Sequence, residues 1–219
     1  MDIQIERLKK NIDKLQKTHG HPDYTALYGT GCIDHPDLFL ILMNPTARNI
    51  SVHKDWKGLK ASWLGTKNFW KILYKLELIS AKTFAATQER APAEWDNDFC
   101  VAVYTELARN KVFITNLGRS TQPDARPLPD AVYKACVALT QEEINAVKPK
   151  VVVLFGNQVS SALLETPIKV SETRKKRFDL EIGGTVYPVY ATYYPVGMGF
   201  MNADKTIEDV RWIRKAHSR

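Results

Sequence analysis

The sequence predicts an α/β protein, a three-layer α/β/α sandwich around a mainly parallel four-stranded sheet. Two observations lead to this class. Four short, strongly apolar runs are typical of strands buried on both faces, as strands of parallel sheets are. Amphipathic stretches with helical spacing separate these runs. With 219 residues, 44% of them hydrophobic, we expect a single domain over 1–219, with an N-terminal helix at 1–18 and a core at 36–215.

The predicted elements alternate along the chain, as they do in proteins with right-handed βαβ crossovers. The first is an amphipathic helix with Ile3, Leu8, Ile12 and Leu15 on one face. The predicted strands are Leu38–Met43, Lys111–Asn116, Val151–Gly156 and Val186–Tyr193. The remaining predicted helices are Phe69–Leu76, Pro129–Val147, Asn157–Leu164 and Thr206–Ala216.

Charge and cysteine content limit the possible environments and partners. The net charge of +7 is compatible with a polyanion such as nucleic acid, although basic runs are also common on solvated faces. No stretch approaches the roughly 20 apolar residues that span a bilayer, and charges throughout 1–18 argue against a secretory signal. Three widely spaced cysteines suit reduced thiols. We expect a cytoplasmic protein, nucleoid-associated or, in a eukaryote, nuclear, with no membrane association.

The Asn44-Pro45 pair ends the first predicted strand abruptly. Pro45 lacks a backbone donor, so the strand's hydrogen bonding stops there. Asn44 is then held at the carboxyl edge of a central strand, where open α/β sheets bind their ligands. An amide in that position can orient a water molecule. A simple turn at the end of a strand is the alternative interpretation.

Two more polar segments follow predicted strands directly, so they are expected at the same sheet edge. The three segments are Asn44–Thr46, Asn116–Arg119 and Tyr193–Gly199. Their convergence makes this edge the candidate functional site.

The order of these motifs resembles that of the uracil-DNA glycosylase superfamily, and most closely its mismatch-specific uracil and thymine-DNA glycosylase branch. The similarity extends over roughly residues 36–215 and depends on motif order and strand context. The residues that carry it are Asn44-Pro45, Trp63, Gly65–Trp70, Thr115-Asn116, Phe155-Gly156 and Tyr194–Val196.

The resemblance implies a role for each candidate residue. The residue matching Asn44 positions the attacking water, and an oxocarbenium-like sugar needs only an oriented water. The residue matching Asn116 reads the uracil edge, because a carboxamide offers both a donor and an acceptor. A buried asparagine that closes a strand is the alternative for Asn116.

An aromatic side chain is expected to stack on the flipped base. Trp63 has the matching position, Trp56 is a competitor, and a core role for Trp63 is the alternative. Tyr194 replaces the family's usual histidine or asparagine, and its neutral phenol is expected to donate to uracil O2. Met198 is in the position of the apolar wedge that fills the gap left by the base, or else it covers the protein surface.

The remaining candidates lie beside these residues. Pro45 and Thr46 are expected to line the base pocket, where Thr46 replaces the family's usual glycine and is expected to narrow it or redirect a backbone amide. Contacts to DNA are expected from Arg48, Lys54, Lys57, Arg119, Pro195, Gly197 and Met198. Solvation alone is the alternative for the four cations, and the run Arg174–Arg177 is expected to be a solvated hairpin or loop.

We expect no cofactor and no metal. Some members of the superfamily hold an iron–sulfur cluster with four cysteines, but only Cys136 falls near such a ligand position here. The expected activity is monofunctional hydrolysis of the N-glycosidic bond of uracil or a related deaminated or mismatched base in DNA, by a monomer. A glycosylase-fold protein that binds DNA or nucleotides and cleaves poorly is the first alternative. A different doubly wound enzyme is the second.

Overall fold

A computed structural model of the protein describes residues 2–50, 63–64, 66–124, 128–195 and 197–218. Its helices are α1 (Asp2–His19), α2 (Lys67–Lys75), α3 (Ala81–Glu89), α4 (Asn97–Arg109), α5 (Asp130–Val147), α6 (Asn157–Leu163), α7 (Val170–Thr173) and α8 (Ala203–Ala216). Its strands are β1 (Thr30–Gly31), β2 (Leu38–Leu42), β3 (Val112–Asn116), β4 (Val152–Phe155), β5 (Arg177–Ile182) and β6 (Thr185–Thr192). Short 3₁₀ helices cover Ala47–Asn49, Pro92–Glu94 and Gly197–Asn202.

These strands form one sheet in the order β1-β3-β2-β4-β6-β5. The central four, β3, β2, β4 and β6, pair in parallel, which confirms the predicted parallel core of four strands. The edge strands β1 and β5 pair antiparallel and were not predicted. β5 alternates exposed and half-buried residues, so it lacks the continuous apolar run that identified the others. It returns into β6 through Gly183 and Gly184.

Helices cover both faces of the sheet, which confirms the three-layer arrangement. Alternate residues of β2 point to opposite sides, as the pleat requires. Leu40 packs with α2, α4 and α8 on one face. Phe39 and Ile41 pack with α5 and α6 on the other face, where α1 lies against α5.

Two helices between β2 and β3 were not predicted from the sequence. Both begin at a standard N-cap, because Ser80 accepts a hydrogen bond from the Thr83 N–H and Asp96 accepts one from the Phe99 N–H. α4 buries residues against the sheet, and so completes the layer that α2 begins. Within the described ranges, no helix has both the length and the apolar character needed to cross a membrane.

Candidate functional site

The registers of the parallel strands bring the predicted segments to one edge of the sheet. Leu42, the last residue of β2, pairs with Asn116 at the end of β3. The pairing continues past both strands, since Leu117 N–H donates to Leu42 O (2.8 Å) and Gly118 N–H donates to Met43 O (2.7 Å). Asn44 is therefore held beside the loop that follows Asn116.

Gly118 permits this close approach of the two loops. A Cβ at this position would lie 2.8 Å from Asn44 Cβ and 2.8 Å from Leu128 Cδ1, which is closer than real Cβ contacts allow. The glycine thus leaves the space that Asn44 occupies.

The amide of Asn44 is buried and only half satisfied. The side chain is 6% exposed, and its Oδ1 accepts a hydrogen bond from the Tyr133 hydroxyl at 3.4 Å. Its Nδ2 has no hydrogen-bond partner among the described residues. Because a buried donor without an acceptor is costly, Nδ2 is an atom of this site that a ligand could satisfy; Trp63 Nε1 and Arg119 Nε are likewise buried without a partner among the described residues.

Tyr133 is a site residue that the sequence analysis missed. It lies in the first turn of α5 and is buried, and its hydroxyl donates to Asn44 Oδ1. Burial raises the pKa of Tyr133 to about 12, so the phenol stays neutral. One signal was available: a helix that returns over the sheet from the Asn116 loop brings its first turn to the same edge.

Tyr194 follows β6 and lies half-buried against the α2, α4 and α8 side of the core. Burial raises its pKa to about 12, and the neighbouring Tyr133 adds to the rise. A Cβ on Gly199 would come within 2.0 Å of the Tyr194 carbonyl oxygen. The loop is therefore closed tightly around Tyr194, and it holds a neutral hydrogen-bond donor at the sheet edge.

A buried carboxylate anchors the strand that leads to Tyr194. Asp209 of α8 is fully buried, and both of its oxygens lie 3.0 Å from Arg174 Nε. Thr192, the last residue of β6, donates to Asp209 Oδ2 at 2.7 Å. The prediction of a purely solvated Arg174–Arg177 run is thus wrong for Arg174, because a paired buried carboxylate holds it.

The structure brings Asn44, Pro45, Thr46 and Asn116 together at this edge, all of them buried. Thr46 uses both its backbone N–H and its hydroxyl to donate to Asn49 Oδ1, at 2.9 and 2.8 Å. Its hydroxyl therefore stabilises the 3₁₀ turn after Pro45.

Arg119 does not occupy the surface position predicted for it. The residue is 1% exposed, and its NH2 lies 2.6 Å from Glu143 Oε2. Its NH1 donates to Thr115 Oγ1 at 2.7 Å. The expected contact to a DNA phosphate is wrong, because this guanidinium is paired inside the protein, where it fastens the Asn116 loop to α5.

Trp63 is a core residue in this structure, which was the alternative left open by the sequence. Its side chain is 2% exposed and packs in the same cluster as Trp70. Its carbonyl accepts from Trp70 Nε1 at 3.0 Å, and its φ of +66° is unusual for so large a residue. No free ring face is offered to a base here, so the stacking prediction is not supported for Trp63. Its competitor Trp56 lies outside the described residues.

The predicted DNA contacts have different outcomes. Arg48 is exposed in the 3₁₀ turn after Thr46, whereas Lys54 and Lys57 lie outside the described residues. Pro195 is buried, so it is not available to DNA as predicted.

The predicted wedge belongs to the 3₁₀ helix that follows Tyr194. Gly197 and Met198 begin this helix, and the Met198 side chain lies outside the described part of the chain. Met201 of the same helix is 93% exposed. No sequence motif marks this second methionine as a site residue.

The donor set does not fit an iron–sulfur cluster. The whole chain has three cysteines, one fewer than the four thiolates that such a cluster takes. Cys100 and Cys136 are buried in the core clusters on opposite faces of the sheet. Among the described residues, no group of three or more histidine, cysteine or carboxylate side chains is arranged to hold a metal ion.

Two comparisons with known proteins agree with this architecture. The family model of the uracil DNA glycosylase superfamily matches residues 28–212, a range that includes the whole sheet edge described above. A type-4 uracil-DNA glycosylase of Saccharolobus solfataricus is 25% identical over 118 residues, which cover 51% of this chain and 55% of that protein. The chain thus spans about half the length of this curated relative.

Proposed function

Because the chain belongs to the uracil DNA glycosylase superfamily, we propose that it excises uracil, or a related deaminated or mismatched base, from DNA by hydrolysing the N-glycosidic bond. DNA is then its partner. The unpartnered, buried Nδ2 of Asn44 is the observation that carries this proposal. A monomeric state, a cytoplasmic location and membership of the mismatch-specific branch remain predictions.

Asn44 would hold the attacking water. The Nδ2–H group donates a hydrogen bond to one lone pair of the water oxygen. The other lone pair of this oxygen is left to face C1′ of the flipped nucleotide. As the bond from C1′ to the base nitrogen breaks, its electron pair leaves with the base and the water oxygen bonds to C1′. The proton that the water loses ends on the departing base. No amine nucleophile is needed, so the reaction stops at an abasic site.

The leaving base would be stabilised without a cation. Tyr194 keeps its proton at neutral pH, because its pKa is about 12, and it would donate one hydrogen bond to uracil O2. Asn116, paired in register with Leu42, would read the N3–H and O4 edge with its amide. Pro45 and Thr46 would form the wall of the pocket between them.

Contact with the duplex would come from the loops around this edge. Arg48 is the exposed candidate for a phosphate contact. Met201 joins Met198 as a candidate wedge, because an apolar side chain 93% exposed to solvent is suited to fill the gap that a flipped base leaves.

Single-turnover excision with excess enzyme tests the proposal. Labelled oligonucleotides would carry uracil, thymine or hypoxanthine, in single strands and opposite G or A. Alkali-labile abasic sites should form with the natural chain. In Asn44→Ala the rate should fall by about a hundredfold, because the water is no longer oriented, with DNA affinity unchanged. Excision at the natural rate in this variant would remove Asn44 from the mechanism.

A DNA- or nucleotide-binding protein with weak cleavage is the second candidate. The observation in its favour is that Asn44, Asn116, Tyr133 and Tyr194 are all neutral groups, and an amide is a poor base. Tight DNA binding without abasic sites from any substrate would favour this alternative.

A further inference from the structure

We propose that Tyr133 is a positioning residue, which fixes the end of the Asn44 amide that faces the reacting nucleotide. The inference rests on the proposed function, because it takes Asn44 as the group that holds the water. Tyr133 itself touches neither water nor substrate in this scheme; it acts through Asn44.

The hydrogen bond of Tyr133 determines the direction of its proton. A phenol has a single O–H to donate. The structure directs this proton to Asn44 Oδ1, which lies 3.4 Å from the phenol oxygen. An amide oxygen is an acceptor, whereas the amide nitrogen is a donor and cannot receive the proton.

Orientation matters because the two ends of an amide are chemically different. If the Asn44 side chain flipped, Nδ2 and Oδ1 would exchange places, and a donor would be replaced by an acceptor at the position of the water. The hydroxyl proton of Tyr133 favours the orientation of the Asn44 amide in which Oδ1 faces Tyr133. Nδ2, which has no partner within the described ranges, is then left facing the reaction.

The surroundings of Tyr133 hold this arrangement in place. Its ring is buried in the cluster formed by α5, α6 and the sheet, and the Asn44 side chain is buried as well. Burial also keeps the phenol protonated across the neutral range, since its pKa is about 12. Tyr133 therefore donates under all ordinary assay conditions.

A double-mutant cycle provides the test, because a residue that acts only through Asn44 has no effect once the Asn44 amide is removed. Tyr133→Phe would be made in the natural chain and in the Asn44→Ala variant, and single-turnover excision would be measured in all four chains. In the natural chain the rate should fall about fivefold to tenfold, the value of one neutral hydrogen bond. In the Asn44→Ala background, where no amide is left to orient, the fall should be about twofold or less.

Tyr187→Phe is the matched control. Tyr187 is also buried, and its hydroxyl donates to the amide Oδ1 of Asn145 at 3.3 Å, far from the sheet edge that carries the site. The Tyr187→Phe variant should leave the excision rate unchanged. Its thermal midpoint shows how much stability is lost when a buried tyrosine hydroxyl is removed, for comparison with Tyr133→Phe.

A ring-fluorinated tyrosine at position 133 keeps the shape of the side chain if phenylalanine disturbs folding. Fluorination lowers the phenol pKa, so excision should fall as the pH rises through the new value, while the natural chain shows no such step. An equal Tyr133→Phe penalty in both backgrounds, or a fluorinated chain with no pH step, would overturn the role of Tyr133 and leave the glycosylase intact. Absence of excision by the natural chain would overturn both proposals.

Discussion

The side chains at the centre of the site are amides and phenols. Asn44 and Asn116 do not titrate, and burial holds the pKa of both Tyr133 and Tyr194 near 12. This neutrality distinguishes the site from one that uses a carboxylate and a histidine, whose ionisation states change with pH. Under the proposed function, the excision rate then depends on geometry rather than on charge.

We predict that the single-turnover rate is constant between about pH 6 and pH 9, because the phenols ionise far above this range. Both phenols have raised pKa values in the folded protein. Their contribution to stability is thus complete below their ordinary pKa and is lost as the pH rises from about 10 toward about 12. Excision rates and thermal midpoints across this range would check both statements. A step in rate between pH 6 and 7 would reveal a titrating group that we have not identified.

Arg48 provides a test of the predicted phosphate contact. Neutralising one contacted phosphate should reduce the slope of log affinity against log salt by about 0.9 for duplex DNA. We expect Arg48→Gln to lower the slope by that amount. Arg109→Gln, an exposed substitution at the end of α4 and at the opposite edge of the sheet, should leave it unchanged. Equal slopes in the two variants would exclude the Arg48 contact.

Loops that follow parallel strands form the site, so their stability depends on the elements beneath them. The Asn116 loop is tied to α5 by the Arg119–Glu143 pair, and the Tyr194 loop is tied to α8 by Asp209. Both ties are buried.

Replacing Glu143 should show how much an unpaired, buried Arg119 charge lowers the free energy of unfolding. We expect Glu143→Gln to lower the free energy of unfolding by about 3–5 kcal/mol, because an unpaired buried charge remains. The double replacement Arg119→Met with Glu143→Leu should recover most of the loss. Urea unfolding would measure both. A loss below about 1 kcal/mol, as expected for the exposed Glu6–Lys9 pair, would indicate that Arg119 is hydrated.

The Gly118→Ala substitution tests whether excision depends on the position of the Asn44 amide rather than on the stability of the fold. The new Cβ would meet Asn44 Cβ at 2.8 Å, and moving the amide by about 1 Å should reduce excision by about a hundredfold. Gly184→Ala is the control, because its φ of +80° makes alanine strained although the space is open, and it lies at the opposite edge of the sheet. The control should lose stability and keep its rate. Equal rates in the two variants would contradict the prediction.

The sequence predicted those elements and residues whose positions depend on local pattern. The central strands are continuous apolar runs, and Asn44, Asn116 and Tyr194 reach the site because each one follows such a run. The predicted DNA contact of Arg119 was wrong because its partner Glu143 lies 24 residues away, and no local pattern shows that pairing. Tyr133 was missed for the same reason, since its partner Asn44 is 89 residues distant.

At the scale of the whole molecule, a net charge of +7 adds a long-range attraction to DNA that is independent of sequence. Arg119 and Arg174, each paired with a buried carboxylate, contribute little to that attraction. Exposed cations such as Arg48 are the groups that can meet phosphates directly. Under the proposed function, the attraction and the recognition of a base therefore depend on different residues.

The order β3-β2-β4-β6 at the centre of the sheet also has a consequence for the folding chain. Each of these parallel pairings joins distant segments, and such non-local contacts form late and slowly. Asn44, Tyr133 and Tyr194 meet only after three separate registers are in place. Under the proposed function, a newly made or partly unfolded chain thus has no assembled site with which to remove bases from DNA.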